Sequence, residues 1–242
     1  MTEREICRPG GMELTQRMLD LANFPPGARL LDVCCGGGAT VEMLLNAGFD
    51  AKGVDLDPEA GNLPVIRGSA YELPCGDATM DGIFCECGFS LLEPDAALAE
   101  FARVLKTGAT LLLSDLYSLS EGARVGKLRV HAREDLESML ASHGFELRHF
   151  EDHTGALKSF LARQIMEYGS SWLREEFEAD FRARKIKCGY CFLMARKIES
   201  KKTDLSSGGQ SHPLGGLRWP PRRVIRCFPK TPHARQPKGQ VG

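Results

Sequence analysis

The sequence predicts an α/β fold: a doubly wound sheet of seven mostly parallel strands, helices on both faces, and a helical insertion before the last strand. Three observations predict it. Short apolar runs alternate with segments of helical period along residues 29–150, the rhythm that builds parallel sheets from strand–helix–strand units. The run 109–115 (ATLLLSD) stays apolar almost throughout, as a strand buried on both faces must. A glycine-rich turn, CCGGGAT at 34–40, follows the first apolar run and opens a helix, an arrangement that lets a backbone turn sharply beside a ligand.

The elements follow in order. Residues 29–34 (RLLDVC) form the first strand. Val41, Leu44 and Leu45 mark a helix that Gly48 stops. Residues 51–55 (AKGVD) make a second strand ending on an acid, and 64–68 (PVIRG) and 81–86 (DGIFCE) a third and fourth. Between Pro94 and Gly108, the positions Ala97, Leu98, Phe101, Val104 and Leu105 fall on one helix face. A helix at 132–143 leads through Gly144 into the strand FELRHF. Leu157, Leu161, Ile165, Tyr168 and Trp172 keep helical spacing in 154–184, with Gly169-Ser170-Ser171 as a break between two helices; 188–196 (CGYCFLMAR) is the last strand. The domain plan is therefore an N-terminal helical lid segment at 1–28, a principal domain at 29–198 with its insertion at 154–184, and a tail at 199–242.

Charge divides the chain. Residues 199–242 hold nine Lys/Arg against two Asp/Glu, with six prolines and six glycines, so the tail carries +7 while the other 198 residues carry −8. A tail without apolar periodicity cannot offset its ordering entropy and reads as disordered. An acidic body speaks against nucleic acid as a partner. The first residues hold no apolar signal core, and no apolar run spans a bilayer, so the expected compartment is the cytoplasm, with no membrane partner. The nine cysteines have no framework spacing. Cys188 and Cys191 fall on an extended segment that points them to opposite faces, and no metal site is expected.

The chemistry concentrates at strand ends. Asp32 lies inside the first strand–turn motif, and Asp55 ends the second strand 19 residues after Gly36. A carboxylate there can accept from both ribose hydroxyls of an adenosine ligand. The turn is not the dinucleotide fingerprint G-x-G-x-x-G: counted from Gly36 and Gly38, its third glycine would be Val41. Beyond the carboxyl ends of the strands stand Glu86, Asp115 and the trio Glu151, Asp152 and His153. Of these, Asp152 or His153 is the candidate for positioning a substrate or taking its proton. Tyr71, Phe89 and Tyr117 could offer aromatic faces to a cation, and Arg8-Pro-Gly-Gly11 could hinge a lid.

The segments LLDVCCGGGATVEMLL, GVDLDPE, RGSAYELP, DGIFCECGFSLL and EFARVLKTGATLLLSDLY together resemble, in order, the class I S-adenosylmethionine-dependent methyltransferases with a Rossmann-like fold. The likeness is nearest to the small-molecule group that includes ubiquinone/menaquinone and arsenite-type enzymes, and covers about residues 8–198. It implies S-adenosylmethionine as cofactor, with Asp32, Cys34, Gly36 and Gly38 along its methionine part and Asp55 on the ribose. Leu56, Ser69 and Ala70 would lie around the adenine, and Glu86 and Cys87 beside the reacting methyl. It implies in-line methyl transfer to a small-molecule acceptor, with Glu86 joining Asp152 and His153 as catalytic candidates; a homodimer is left open. A non-catalytic cofactor-binding scaffold and a nucleic-acid methyltransferase are the alternatives. Two positions and one spacing depart from the family pattern. Cys34 and Ser69 replace the usual glycine and acid, and only 13 residues separate Asp55 from Ser69, too few for a crossover helix of ordinary length.

Overall fold

A computed structural model describes residues 8–59, 61–125, 128–169 and 187–199. The residues before Arg8 in the expected lid segment, the expected second insertion helix with Ser170, Ser171 and Trp172, and nearly all of the tail lie outside the described residues. In chain order the elements are α1 (Gly11–Ala22), β1 (Arg29–Val33), α2 (Ala39–Asn46), β2 (Asp50–Asp55), β3 (Val65–Arg67) and β4 (Met80–Glu86). A short 3₁₀ turn (Phe89–Leu91) follows, then α3 (Pro94–Val104), β5 (Leu105–Ser118), β6 (Ala123–Val125), β7 (Leu128–Val130), α4 (Arg133–Ser142), β8 (Phe145–Asp152), α5 (Thr154–Tyr168) and β9 (Cys188–Lys197).

Seven strands form one sheet in the order β3-β2-β1-β4-β5-β9-β8. All neighbours are parallel except β9, which runs antiparallel to both β5 and β8. The seven-stranded, mostly parallel sheet expected from the sequence is therefore present. The chain winds outward from β1 to β2 and β3, then returns to lay β4 on the other flank of β1. A crevice opens at such a reversal, beyond the carboxyl ends of the two central strands.

Strand alternation sorts the core into two layers. On one face, Leu111, Leu113 and Tyr117 of β5 join Ala97, Leu98 and Phe101 of α3 and Leu136 and Leu140 of α4. On the other, Leu112 and Leu116 of the same strand join Leu14 and Met18 of α1, Val41 and Leu44 of α2, and Leu157 and Phe160 of α5. Cys191 packs in the first layer and Cys188 against the second, as extended C-x-x-C spacing requires.

Where the elements differ from expectation, pairing is the reason. The helix expected up to Gly108 ends at Val104, because Leu105 already pairs with Met80 of β4. β3 shortens to three residues at the sheet edge, where β2 is its one neighbour. β6 and β7, joined as a small antiparallel ribbon, were not expected: three-residue strands show no period to read. Between β2 and β3 the described connecting residues form no helix, consistent with the short spacing. Among the described residues no helix is long and apolar enough to cross a membrane.

β8 is latched to α1 by Glu151, whose carboxylate takes Arg17 (Nη2 to Oε1, 2.6 Å), His149 (2.6 Å) and His153 (3.0 Å). Arg17 above all, then the two histidines, holds the Glu151 pKa at about 2, below its ordinary 4.5. A carboxylate depressed on folding contributes stability that is complete above its unfolded pKa and is lost as pH falls through the folded value. Glu151→Gln is therefore expected to flatten the acid limb of the stability–pH curve between about 4.5 and 2, read by urea unfolding; an unchanged limb would place the latch's contribution at nil.

Candidate active site

The switch-point crevice is lined by acids from three adjacent strands. Asp32 on β1 is 3% exposed and Glu86 at the end of β4 is 6% exposed. Asp55 ends β2, half-buried. Loss of hydration foremost, then the charge of Glu86, pushes the Asp32 pKa well above the usual carboxylate range, with Arg8 opposing.

Glu86 sits in a closed set of partners. Thr40 Oγ1 at the start of α2 donates to its Oε1 at 2.9 Å, Thr15 Oγ1 of α1 to Oε2 at 3.0 Å, and Ser114 Oγ of β5 to Oε2 at 3.3 Å. Arg8 Nη2 stands 3.1 Å from Oε1 and donates to Thr15 (2.5 Å) and Thr40 (3.1 Å). The ion pair is buried, with side-chain exposures of 15% and 3%. Such a pair holds its place through the hydrogen bonds around it rather than through charge alone. Tyr190 on β9 continues the chain of contacts, donating to Ser114 at 3.1 Å and lying 2.9 Å from Cys87 Sγ.

The turn after β1 is held in left-handed conformations at Cys34 (φ 63°), Gly36 (φ 53°) and Gly38 (φ 78°). Its register is fixed from β2: Cys34 N donates to Val54 O at 2.8 Å, and Gly36 N donates to Asp55 Oδ2 at 2.8 Å. Asp55 Oδ1 accepts from Asp57 N at 2.8 Å. Leu56 is 59% exposed beside it. Ser69 and Ala70 follow β3, half-buried, with Ser69 Oγ accepting from Tyr71 N at 3.1 Å.

Gly88 brings the chain after β4 against this turn. A Cβ there would lie 2.6 Å from Cys34 Cβ and 2.9 Å from its Sγ. Gly88→Ala is expected to cost about 1–3 kcal/mol, the usual scale of overpacking. Cys34→Gly in the same chain removes both the atoms struck and the left-handed strain of a side-chain-bearing residue, about 1–2 kcal/mol. The double variant should therefore recover the loss in denaturant unfolding; a double variant no better than Gly88→Ala would mean that the Cys34 contact is not the cause.

At the end of β8, Asp152 Oδ1 accepts from Thr154 N at 2.9 Å and from the Thr154 hydroxyl, while His153 Nε2 is on Glu151. Asp32, Glu86, Cys34, Gly36, Gly38 and Asp55 thus meet around one crevice, with Cys87 just past Glu86; Asp152 and His153 stand at the end of β8 with internal partners. Thr15, Thr40 and Ser114 were missed by sequence reasoning, which read Arg8 only as part of a lid hinge and not as a partner of Glu86. Thr15 carried a signal, a polar residue within the buried stripe Leu14–Leu19 of α1. Among the described residues no cluster of three His, Cys, Asp or Glu is placed to hold a metal.

A nucleoside-binding α/β domain is what this sheet and crevice define. Residues 31–113 match the family model described as a methyltransferase domain. The chain is 35% identical over 109 residues to demethylmenaquinone methyltransferase of Renibacterium salmoninarum, covering 40% of this chain and 45% of that one. It is 30% identical over 195 residues to phosphoethanolamine N-methyltransferase of Triticum aestivum, covering 71% and 38%. Among solved structures the cyclase SpnF superposes with a TM-score of 0.62 at 22% identity, covering 81% of this chain and 85% of that one; at that identity the likeness is one of fold. Residues 31–113 are thus a match to a methyltransferase domain, and these likenesses support a class I S-adenosylmethionine-dependent methyltransferase. It spans between 38% and 62% of the length of the first curated relatives it matches.

Proposed function

We propose that this chain transfers a methyl group from S-adenosylmethionine to a small-molecule acceptor by in-line displacement. The observation that carries the reading is the alignment of Asp32, Asp55 and Glu86 at the tips of three adjacent strands, with the Arg8 guanidinium among them. The residues suit the cofactor. Its amino-acid arm is a zwitterion: the buried Asp32 and Glu86 offer negative charge to an ammonium, and Arg8, whose buried Nε has no partner among the described residues, offers a donor to a carboxylate. Asp55 would accept from the ribose hydroxyls, and the exposed Leu56 would cover an adenine face opposite Ser69 and Ala70.

When bound, the sulfonium supplies a methyl group whose transfer needs alignment and exclusion of water more than covalent help. Asp55 and Leu56 would fix the nucleoside end, Asp32, Glu86 and Arg8 the arm, and the Gly36–Gly38 turn would allow close approach. Asp152 and His153, engaged by Thr154 and Glu151, are proposed to position an acceptor from the rim.

Calorimetric titration with S-adenosylhomocysteine tests the reading. An ammonium beside Asp32 favours its ionised form, whereas burial favours the protonated one. Binding should therefore release a proton, and affinity should rise with pH until the free protein's Asp32 ionises by itself. Titrations in buffers of different ionisation enthalpy read this release, which Asp32→Asn should abolish. Absence of any binding heat at millimolar ligand would end the reading.

A further inference from the structure

Two thiols meet where the turn after β1 passes the end of β4. Cys85, on β4, is fully buried, and Cys34, which opens the turn, is half-buried. β1 and β4 run parallel with Asp32 opposite Phe84, so one step further along both strands brings Val33 to Cys85. An extended Cys34 would then point to the opposite face of the sheet. Its left-handed backbone, φ 63°, turns it back, and it packs in the same layer as Cys85. Gly88 marks where they converge. A Cβ there would lie 2.9 Å from Cys34 Sγ and 3.2 Å from Cys85 Sγ, and the two thiols share a hydrogen bond. Their neighbours in sequence look elsewhere: Cys87 Sγ lies 2.9 Å from the Tyr190 hydroxyl, and Cys35 packs toward Gly53 in the other layer. Both Cys34 and Cys85 are free thiols.

We propose that Cys34 and Cys85 are a redox modification site, which a small organic disulfide closes into a reversible Cys34–Cys85 bond that weakens the crevice's hold on its ligand. The weakening rests on the methyltransferase reading above; the bond itself does not. The shared hydrogen bond foremost, then burial, keeps the Cys85 thiol protonated, and the thiolate is the attacking form, so the half-buried Cys34 reacts first. Its sulfur attacks one sulfur of the small disulfide, expels a thiolate and leaves a mixed disulfide. Cys85 Sγ then attacks Cys34 Sγ and expels the second thiolate. The two cysteines are oxidised, the small disulfide is reduced to two thiols, and the two cysteine protons pass to them. Bonded sulfurs stand closer than thiols in contact, so closure draws Cys34 toward β4. The turn is tied the other way, to β2, by Cys34 N on Val54 O and Gly36 N on Asp55 Oδ2. The two pulls oppose each other, and Asp55, the acid assigned to the ribose, is on the bond that loosens.

The probe is hydroxyethyl disulfide, equilibrated with the full chain before free thiols are alkylated and the peptides mapped without reduction. The expected product is a peptide pair joined through Cys34 and Cys85, returned to free thiols by dithiothreitol. The oxidised chain should bind S-adenosylhomocysteine about 10-fold more weakly than the reduced chain, the scale of one lost hydrogen bond, and dithiothreitol should restore the affinity. Cys85→Ala should keep its affinity unchanged under the same oxidant. A map without the Cys34–Cys85 link, or a linked chain that binds as tightly as the reduced one, overturns the proposal. So does a Cys85→Ala chain that loses affinity as the wild type does. Should Cys85→Ala fail to fold, the wild-type map and its reversal decide. Failure of the reduced chain to bind S-adenosylhomocysteine would instead strike the methyltransferase reading, and the map would still read the link, so the two failures are told apart.

Discussion

Glu86→Ala is expected to remove S-adenosylhomocysteine binding and to lower stability by about 3–5 kcal/mol, because it strands the buried Arg8 guanidinium without its counter-charge. For a domain of this size that is a fall in Tm of roughly 6–20 °C. Two roles are mixed in this loss, and a second variant separates them. Glu86→Leu combined with Arg8→Leu removes both charges together, and apolar replacement of a buried pair is often neutral or stabilising. The double variant should therefore regain most of the stability, yet bind no better than Glu86→Ala. Differential scanning calorimetry reads the first outcome and isothermal titration the second. A double variant that regains binding would show that neither charge touches the ligand, and the assignment of the methionine arm to this end of the crevice would fall.

What the sequence revealed depended on how local the signal was. Asp32, Gly36, Gly38 and Asp55 belong to one strand–turn–helix–strand unit, so their shared crevice follows from spacing, and Gly36 N on Asp55 Oδ2 is the bond that closes it. The sheet was legible because helical and strand periods alternate over most of the body. Arg8 was not: its partner is 78 residues away, and a hinge-like Arg-Pro-Gly-Gly gives no hint that the guanidinium reaches Glu86, Thr15 and Thr40. The trio Glu151, Asp152 and His153 shows the reverse case, for its position at a strand end was readable while its partners, Arg17 on α1 and Thr154 in the next helix, were not. β3 read two residues too long because a hydrophobic run does not say how much of itself will find a neighbour.

Asp55→Ala is expected to weaken S-adenosylhomocysteine by roughly 10²–10⁴-fold, since hydrogen bonds to a charged acceptor contribute about 1.5–3 kcal/mol each and, in the proposed pose, two ribose hydroxyls would share this carboxylate. The size alone does not prove the role, because Asp55 also holds the Gly36 and Asp57 amides and its loss loosens the turn. Methylthioadenosine resolves this, since it keeps the nucleoside and lacks the amino-acid arm. If Asp55 holds the ribose, Asp55→Ala should weaken both ligands by similar factors. Asp32→Asn and Glu86→Gln, at the other end, should weaken S-adenosylhomocysteine and leave methylthioadenosine within a few-fold of wild type. A loosened turn would give a different pattern: in the proposed pose Gly36 and Gly38 would lie toward the arm, so S-adenosylhomocysteine would suffer more than methylthioadenosine. Equal losses on both ligands for Asp55, set against selective losses for Asp32 and Glu86, are thus the signature of a nucleoside laid across β2 and β1 with its arm turned in toward β4; any other division of the losses requires a different pose.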